Sequence, residues 1–358
     1  MDCRALSEGV VELAKIRVGM IGCGAIARSK HLPAFASQPD VELVAACDVD
    51  PECCRAAAEK FGIPHVFSDY SELLAMDEID AVDICTPNYL HMPHAVAALE
   101  AGKHVLVEKP IARNAIEAQA IVDAARKSGK KLQVAQCWRF RSDSQALKKF
   151  IDAGEMGEMY YARVQAIRRR GIPSWGVFTD KEKQGGGPLI DIGVHILDCT
   201  MWLLGHPKPV AASGATYTKF GTRPGLFGVW GPWDHTNFTV EDFAAGFVRF
   251  ENGATLTIES SFAANIEKDT FNLAILGTEG GCQFDPLRIF REEHGMLVDL
   301  TPTHLPTVDI FQSEIRAFLD SIKNGTEPPV TGEQALLVAK ILDAIYESSQ
   351  RGAEVKID

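Results

Sequence analysis

Three ionisable side chains follow one another at helical spacing in the segment 188–204. Asp191 and His195 are four residues apart, and Asp198 follows three residues later, so a helix would carry all three on one face. Histidine is the side chain best suited to proton transfer near neutral pH. The pattern predicts an acid–base group, while a solvated polar stripe on a structural helix is the alternative that this segment alone leaves open.

Lys109 is a second residue that can do chemistry, because it ends the apolar strand predicted at 104–108. An ammonium group at that position can donate a hydrogen bond to a substrate oxygen and favour negative charge on it. The commoner environment of a lysine is solvent, so simple exposure at a strand end is the competing interpretation.

A glycine turn near the start of the chain indicates which ligand lies next to these groups. The stretch 15–28 reads KIRVGMIGCGAIAR, in which a short apolar strand leads into Gly22, Gly24 and Ala27. In the G-x-G-x-x-G/A pattern the first glycine makes a tight turn, the second lets the backbone approach a pyrophosphate, and a small third residue packs helix on strand. The turn therefore predicts a dinucleotide site.

Asp48 ends the next predicted strand, 41–47, some 26 residues after Gly22. This is close to the spacing of about 20 residues expected of a carboxylate that binds a ribose 2′-hydroxyl. Such a carboxylate repels a 2′-phosphate, and no Arg or Lys follows it directly, so NAD is favoured over NADP. The alternative is that Asp48 and Asp50 cap the helix predicted to begin at Pro51.

The elements that position these residues form two regions. Up to residue 137, predicted strands alternate with helices, which indicates a doubly wound parallel sheet and an α/β fold. Ligands bind such sheets beyond the carboxyl ends of the strands. Four of the residues singled out lie there: Gly22, Asp48, Thr86 and Lys109. We therefore interpret 1–137 as an NAD-binding Rossmann domain.

From residue 138 the sequence changes to β-rich runs separated by turn signals. Asn252–Gly253, between two such runs, is typical of a hairpin, and two helical stretches, 311–324 and 333–350, close the chain. Residues 138–358 therefore predict an α+β domain with a large, mostly antiparallel open sheet. The closing helices can pack back on the first domain.

Composition argues against several other classes of protein. The chain has 358 residues and a formal net charge of −12, which disfavours nucleic acid and anionic membrane as partners. No segment reaches the roughly 18 apolar residues that span a bilayer, and the N-terminal segment MDCRALSEGVVELAK lacks the apolar core of a signal peptide. The nine cysteines are scattered without metal-ligand spacing, which predicts reduced thiols, a cytoplasmic location and no metal.

Over essentially its full length the sequence resembles the Gfo/Idh/MocA family of NAD(P)-dependent oxidoreductases. The matching pieces, in chain order, are VGMIGCGAIA, AVDICTPNYLH, HVLVEKP, GGGPLIDIGVHILD, LGTEGG and AIYESSQRG. The EKP and D-x-G-x-H-x-x-D pieces are far more specific in combination than the glycine turn. The resemblance implies a Rossmann domain followed by an α/β domain whose open sheet forms oligomer contacts, and hence a homodimer or homotetramer.

The resemblance also implies roles for individual residues. Lys109 would be the catalytic lysine, with a cis Lys109–Pro110 bond as in family members. His195 would be the acid–base residue, and Asp191 would hold the substrate and tune the histidine. The expected cofactor-binding residues are Gly22, Gly24, Ala25, Ile26, Asp48, Thr86, Pro87, Asn88, His91, Glu108 and Lys109.

The expected substrate site is less sharply defined. Arg168–Arg170 can pair with a carboxylate or phosphate, or form a solvated strand end. Trp175, Trp230 and Trp233 can stack on the C–H faces of a sugar or cyclitol ring, or pack at a subunit interface. The segment CWRFRS departs from the commoner form of the family motif. The expected substrate-binding residues are Lys109, Trp138, Arg139, Arg170, Trp175, Asp191 and His195.

These expectations converge on an NAD-dependent dehydrogenase of a sugar, a sugar derivative or an inositol. His195, assisted by Lys109, would take the hydroxyl proton of the substrate while the hydride passes to the cofactor, which carries the hard chemistry. Two alternatives stay open. One is hydrolysis of a glycoside through transient oxidation by tightly held NAD, and the other is a non-catalytic NAD-binding regulator, whose signature would be loss of the lysine or the histidine.

Overall fold

A six-stranded sheet occupies the first part of the computed structural model, which describes residues 15–358; most of the N-terminal segment considered for a signal peptide lies outside that range. The strand order is β3-β2-β1-β4-β5-β6, and every neighbouring pair is parallel. The strands are β1 (Ile16–Ile21), β2 (Val41–Cys47), β3 (His65–Phe67), β4 (Ala81–Ile84), β5 (His104–Glu108) and β6 (Leu132–Ala135). The predicted doubly wound parallel sheet is confirmed.

Helices connect these strands, and their ends follow from local sequence. The side chain of Asp50 accepts the backbone N–H groups of Glu52 and Cys53 at the start of the second helix, and Gly62 ends that helix with a φ of 69°. A π-helical segment, Ala27–His31, follows the glycine turn and continues as the first α-helix. The helices are α1 (Leu32–Ala36), α2 (Pro51–Phe61), α3 (Tyr70–Leu74), α4 (His91–Glu100) and α5 (Ala115–Ser128).

The second sheet has nine strands in the order β14-β13-β12-β11-β7-β10-β9-β8-β15. They are β7 (Met159–Ile167), β8 (Pro209–Tyr217), β9 (Phe243–Phe250), β10 (Thr255–Ser261), β11 (Thr270–Gly277), β12 (Gly280–Gln283), β13 (Arg288–Glu293), β14 (Met296–Leu300) and β15 (Val355–Lys356). Among these strands only β7 and β10 pair in parallel. The turn at Asn252–Gly253 joins β9 to β10 as an antiparallel hairpin, so the predicted sheet type is confirmed.

Helices cover one face of this second sheet and leave the other open. Of these helices α8 (Val194–Leu203) and α10 (Gly332–Arg351) pack on the sheet; the others in this part of the chain are α6 (Ser142–Asp152), α7 (Lys181–Gln184) and α9 (Ile310–Asn324). Leu197 of α8 and Ile345 of α10 share a core with Val164 and Ile258 of the sheet. No helix in the range 15–358 combines the length and apolarity needed to cross a membrane.

The two closing helices also contact the first sheet. Phe318 and Leu319 of α9 are fully buried in the core that contains Val18 of β1. Leu336 of α10 belongs to the core around Val107 of β5. Since Ile345 of α10 also belongs to the core of the second sheet, α10 joins the two sheets, whereas α9 packs on the first sheet.

Candidate active site

The glycine turn at the end of β1 presents open backbone. Gly22 has a φ of 92°, and a Cβ added there would lie 2.7 Å from the carbonyl carbon and oxygen of Cys85, so only glycine fits this close approach of two strand ends. A Cβ added at Gly24 would meet nothing within 4 Å among the described residues. Ala27 is fully buried. This cradle fits the pyrophosphate of a dinucleotide.

The carboxylate of Asp48 is fixed beside this turn. Its Oδ2 accepts the backbone N–H of Cys23 at 2.7 Å, and its Oδ1 accepts the backbone N–H of Asp50 at 2.9 Å. The helix-capping role belongs to Asp50 alone. Each carboxylate oxygen can accept a further hydrogen bond, so Asp48 is suited to a ribose hydroxyl.

The loops after β4 and β5 are tied together by a histidine. His91 is buried, with one ring nitrogen 2.8 Å from the carbonyl oxygen of Thr86 and the other 2.7 Å from that of Pro110. Burial lowers the pKa of His91. The side-chain amide of Asn88 donates to the backbone carbonyl of Gln184 at 3.0 Å. The other expected cofactor residues at this edge of the sheet are Ala25, Ile26 and Pro87.

Lys109 follows β5, and its ammonium group is held by Asp191. Nζ donates to both the backbone oxygen and Oδ1 of Asp191, each at 3.0 Å, and the Lys109–Pro110 bond is cis. Burial alone would lower the pKa of Lys109, but the charges of Asp191 and Glu108 raise it above its ordinary value. The lysine is therefore a paired ammonium group, and the solvated strand-end interpretation is wrong.

His195 lies one turn after Asp191, where the π-helical segment Leu189–Gly193 passes into α8. Burial, reinforced by the positive charge of Lys109, lowers the pKa of His195 to about 3. The ring stacks on Trp138, with centroids 6.2 Å apart and an interplanar angle of 25°. The site thus places a neutral imidazole beside a protonated lysine.

A buried ionic network beneath Lys109 was missed by the sequence analysis. His31 Nδ1 lies 2.9 Å from Asp83 Oδ2, and Nε2 lies 2.9 Å from Glu108 Oε1. Glu108 Oε2 accepts the backbone N–H of Lys109 at 2.8 Å. The network therefore fixes the backbone of the lysine. An acid inside the apolar strand AVDI was the available signal.

In this network the positive charge of His31 and the negative charges of the carboxylates stabilise one another. Burial alone would lower the pKa of His31, but Asp83 raises it well above its ordinary value. Burial would raise the pKa of Glu108, but the hydrogen bond and charge of His31 lower it to about 2. Cys85 also lies within 4.8 Å of His31 and Asp83. Since both imidazole nitrogens already face carboxylates, an imidazolium between two carboxylates accounts for the cluster without a metal.

Arg139 has partners other than the group around Lys109. It is 2% exposed, and its guanidinium forms two hydrogen bonds with the buried carboxylate of Asp198, at 2.7 and 2.6 Å. A further nitrogen donates to the carbonyl of Pro329 and to Gln334. The face predicted to carry three polar residues is thus divided, because Asp198 is used for this internal pair. The geometry gives Arg139 a structural role, contrary to its expected contact with substrate.

The arginines after β7 differ in their surroundings. The Arg170 guanidinium donates to the backbone oxygen of Ala264 and lies over the ring of Phe220, 4.7 Å from its centroid. Arg168 lies with its guanidinium 4.8 Å from the ring centroid of Trp230. Trp175 is half-exposed and packs edge-on against Trp230, with centroids 5.2 Å apart.

A dinucleotide at this edge needs a neighbouring group that takes or returns a substrate proton, and Lys109 with His195 meets that need. The fold and the site are those of a nicotinamide-dependent oxidoreductase. Residues 16–136 match the oxidoreductase family with an NAD-binding Rossmann fold, and residues 148–357 match the C-terminal alpha/beta domain of the same family. The chain belongs to the Gfo/Idh/MocA oxidoreductase family, as its motifs indicated.

Several similar proteins carry sugar-related names. D-glucoside 3-dehydrogenase of Escherichia coli (strain K12) is 36% identical over 343 residues, covering 96% of this chain and 97% of that protein. Levoglucosan dehydrogenase of Pseudarthrobacter phenanthrenivorans is 31% identical over 400 residues, covering 96% and 99%. A solved structure of levoglucosan dehydrogenase in complex with NADH superimposes with a TM-score of 0.84 at 27% identity, covering 96% of this chain and 99% of that one.

Proposed function

We propose that this protein is an NAD-dependent dehydrogenase that oxidises a ring hydroxyl of a glucose-derived sugar. The observation that carries the proposal is the Lys109 ammonium, held 3.0 Å from two oxygens of Asp191, beside the neutral imidazole of His195. Lys109 follows β5, and the sheet of β5 also carries the glycine turn and Asp48. The names of the glucoside and levoglucosan dehydrogenases support a sugar as substrate.

The chain supplies binding, orientation and proton handling. Gly22, Gly24 and Asp48 would hold NAD, which when bound accepts a hydride from the substrate carbon. Lys109 donates a hydrogen bond to the reacting oxygen and stabilises the negative charge that develops on it. The neutral ring of His195 accepts the hydroxyl proton. Asp191 keeps the ammonium in place and in its charged form.

The first experiment measures NADH formation with NAD and a panel of glucose, methyl glucosides, other aldoses, sugar acids and inositols. We expect turnover on glucosides, and a fall in kcat of about 10²-fold or more in Lys109→Ala, since the charge that stabilises the developing oxyanion is lost. Lys60→Ala is the matched control, because Lys60 lies on the exposed surface of α2. Unchanged turnover in Lys109→Ala would overturn the catalytic assignment.

The same assay separates the two alternative functions. Hydrolysis through transient oxidation releases an aglycone and regenerates NAD, so the product appears without net NADH. A regulator binds NAD and turns over no member of the panel. Either result would overturn the proposed dehydrogenase, whereas accumulation of NADH in proportion to oxidised sugar supports it.

We also propose that the open face of the nine-stranded sheet is a contact between copies of this chain. Alternate residues of the central strands face away from the helices, among them Gln165, Ala245 and Glu259, and are only half-buried. The side-chain oxygen of Asn272 in β11 is buried and has no hydrogen-bond partner in the part of the chain described. A second copy would cover this face and give a homodimer or homotetramer.

A reducing compartment such as the cytoplasm is the location that we propose. All eight cysteines within residues 15–358 are free thiols. Cys23 and Cys54 lie with their sulfur atoms 3.9 Å apart without forming a bond. Neighbouring thiols of this kind are typical of proteins kept reduced in the cell.

A further inference from the structure

Arg168 is a charged residue whose donors are largely unused. It directly follows β7, and among the described residues its guanidinium makes one long hydrogen bond, 3.4 Å to the carbonyl oxygen of Gly171. The group is held instead by aromatic rings, at 4.8 Å from the centroid of Trp230 and 5.9 Å from that of Phe262. A guanidinium carries five N–H donors in a fixed plane. The Arg168 guanidinium is therefore held in place and has N–H donors available for the acceptor atoms of a ligand.

The position of Arg168 relates it to the catalytic residues. Its burial lowers its pKa, while the negative charge of Asp191 acts in the opposite direction. Its positive charge in turn contributes to the low pKa of His195. The Ser260 hydroxyl donates to the carbonyl oxygens of Ala166 and Pro188, at 3.2 and 2.7 Å. Ala166 is two residues before Arg168 and Pro188 is three residues before Asp191, so the end of β7 lies against the segment that carries Asp191. Arg168 thus borders the place where the reacting hydroxyl must lie.

On the far side of Arg168 the chain exposes an aromatic surface. Trp230 and Trp175 are 41% and 50% exposed, although tryptophan is ordinarily well buried. Trp175 is held in place because its ring packs edge-on against Trp230 and because the Ser174 hydroxyl donates to the Trp230 carbonyl at 2.6 Å. We call Arg168, Trp175 and Trp230 the Arg–Trp surface.

We propose that the Arg–Trp surface is a subsite for a second sugar ring, so that the substrate is a two-ring glycoside rather than a free monosaccharide. Indole rings stack on the apolar C–H faces of a sugar, and the guanidinium donates to its hydroxyls. None of these three residues is acidic, and Arg168 follows the end of β7 that is linked through Ser260 to the segment carrying Asp191. Both features suit a neutral ring attached to the one that is oxidised. This inference rests on the proposed dehydrogenase activity.

The test compares kcat/KM for methyl β-D-glucopyranoside with that for cellobiose, maltose and trehalose, using NADH formation as the signal. We expect at least one disaccharide to exceed the methyl glucoside by about tenfold or more, the effect of one well-placed aromatic contact. If no compound gives NADH, the proposed function fails. If the methyl glucoside is turned over and every disaccharide is equal or worse, the second-ring subsite alone fails.

Two variants locate the subsite. Trp175→Ala and Trp230→Ala should each lower the ratio of disaccharide to methyl glucoside kcat/KM by about tenfold, through KM rather than kcat. Phe227→Ala is the matched control, since Phe227 is 72% exposed in the same loop as Trp230, and it should leave the ratio unchanged. Circular dichroism and NAD affinity verify that each variant is folded.

Subunit contact is the competing use of exposed tryptophans. Light scattering on the same variants measures it directly. A decrease in native mass in Trp175→Ala, with an unchanged kcat/KM ratio, would overturn the subsite and assign the tryptophans to an interface. An unchanged mass with the expected fall in the ratio supports it.

Discussion

Lys109 and His195 hold opposite protonation states, and each state depends on neighbours that sequence spacing does not reveal. The ammonium is kept charged by Asp191 and Glu108, although its burial acts against the charge. That same positive charge, added to burial, keeps the imidazole neutral. One residue can therefore stabilise an oxyanion while the other accepts a proton, at the same pH.

The pH dependence of kcat/KM follows from these states. The pKa of His195 is about 3, so its acceptor form predominates above that pH, and Lys109 loses its proton only above its ordinary value of 10.5. We expect initial rates of oxidation to be constant between about pH 5 and pH 9. An acidic limb centred near the ordinary histidine pKa, about 6.5, would contradict the neutral, buried state of His195.

Asp48 makes a separate prediction about the choice of cofactor. Asp48→Asn removes the charge that repels a 2′-phosphate but keeps an oxygen that can accept the Cys23 N–H. The ratio of kcat/KM with NADP to that with NAD should rise about tenfold, the order expected for one charged hydrogen-bonding group. Asp50→Asn, which alters the neighbouring helix cap, serves as control. Equal ratios in wild type and Asp48→Asn would remove Asp48 from ribose recognition.

At the scale of elements, Gly22 and Gly24 belong to one turn, but a side chain is excluded at each for a different reason: protein packing at Gly22 and cofactor approach at Gly24. Gly22→Ala would force a side chain against the Cys85 carbonyl at 2.7 Å and at a φ of 92°, so the melting temperature should fall. The Cβ of Gly24→Ala would meet no atom of residues 15–358 within 4 Å, so the melting temperature should stay unchanged while NAD affinity falls about tenfold or more. Calorimetry and NAD titration distinguish the two variants. Equal losses of stability in Gly22→Ala and Gly24→Ala would contradict these different roles.

The network of His31 joins the π-helical segment to β4 and β5 and should show in stability. His31→Gln leaves two buried carboxylates without a cation, which costs about 3–5 kcal/mol of unfolding free energy. Because the folded pKa of His31 is raised well above 6.5, its stabilisation is complete below that pH and declines as pH rises toward the folded pKa.

Urea unfolding between pH 6 and pH 9 measures this effect. The unfolding free energy of the wild type should decline above about pH 6.5 by up to ~1.4 kcal/mol per unit, and the His31→Gln variant should lack that slope. A wild-type slope that the variant retains in full would show that His31 is not the titrating group.

The bounds of helices and strands were more predictable from the sequence than the contacts between their side chains. β2 and β5 were predicted to the residue, because each is an apolar run closed by an acid or a lysine at the sheet edge. Strands β12 to β14 were not predicted, since they are partly exposed and follow no clean alternation. The split of the polar helix face also escaped prediction, because the pairing of Asp198 depends on Arg139, which is 59 residues away in sequence.

At the scale of the whole molecule, the two sheets share the closing helix α10, and one large surface of the second sheet has no helix on it in the part of the chain described. α9 and α10 place apolar residues in the cores of the first sheet, and α8 and α10 cover one face of the second. The opposite face of β7, β9, β10 and β11 carries a mixture of side chains, among them Tyr161, Gln165, Ala245, Phe247 and Glu259. Such a surface is suited to self-association through a two-fold axis.

Ala245→Arg tests that association. Ala245 lies in the middle of the open face, opposite Glu259 of β10 and Ala215 of β8, so a long charged side chain there extends away from the core and leaves the fold intact. Facing a second copy across the axis, it would bring two like charges together in a desolvated contact. We expect light scattering to show a dimer or tetramer for the wild type and a smaller species for the variant.

Leu297→Arg, at a position 91% exposed on β14, is the control. It should keep the wild-type mass, because it adds the same charge at the edge of the sheet. A monomeric wild type, or an Ala245→Arg variant of unchanged mass, would show that this face is not the contact.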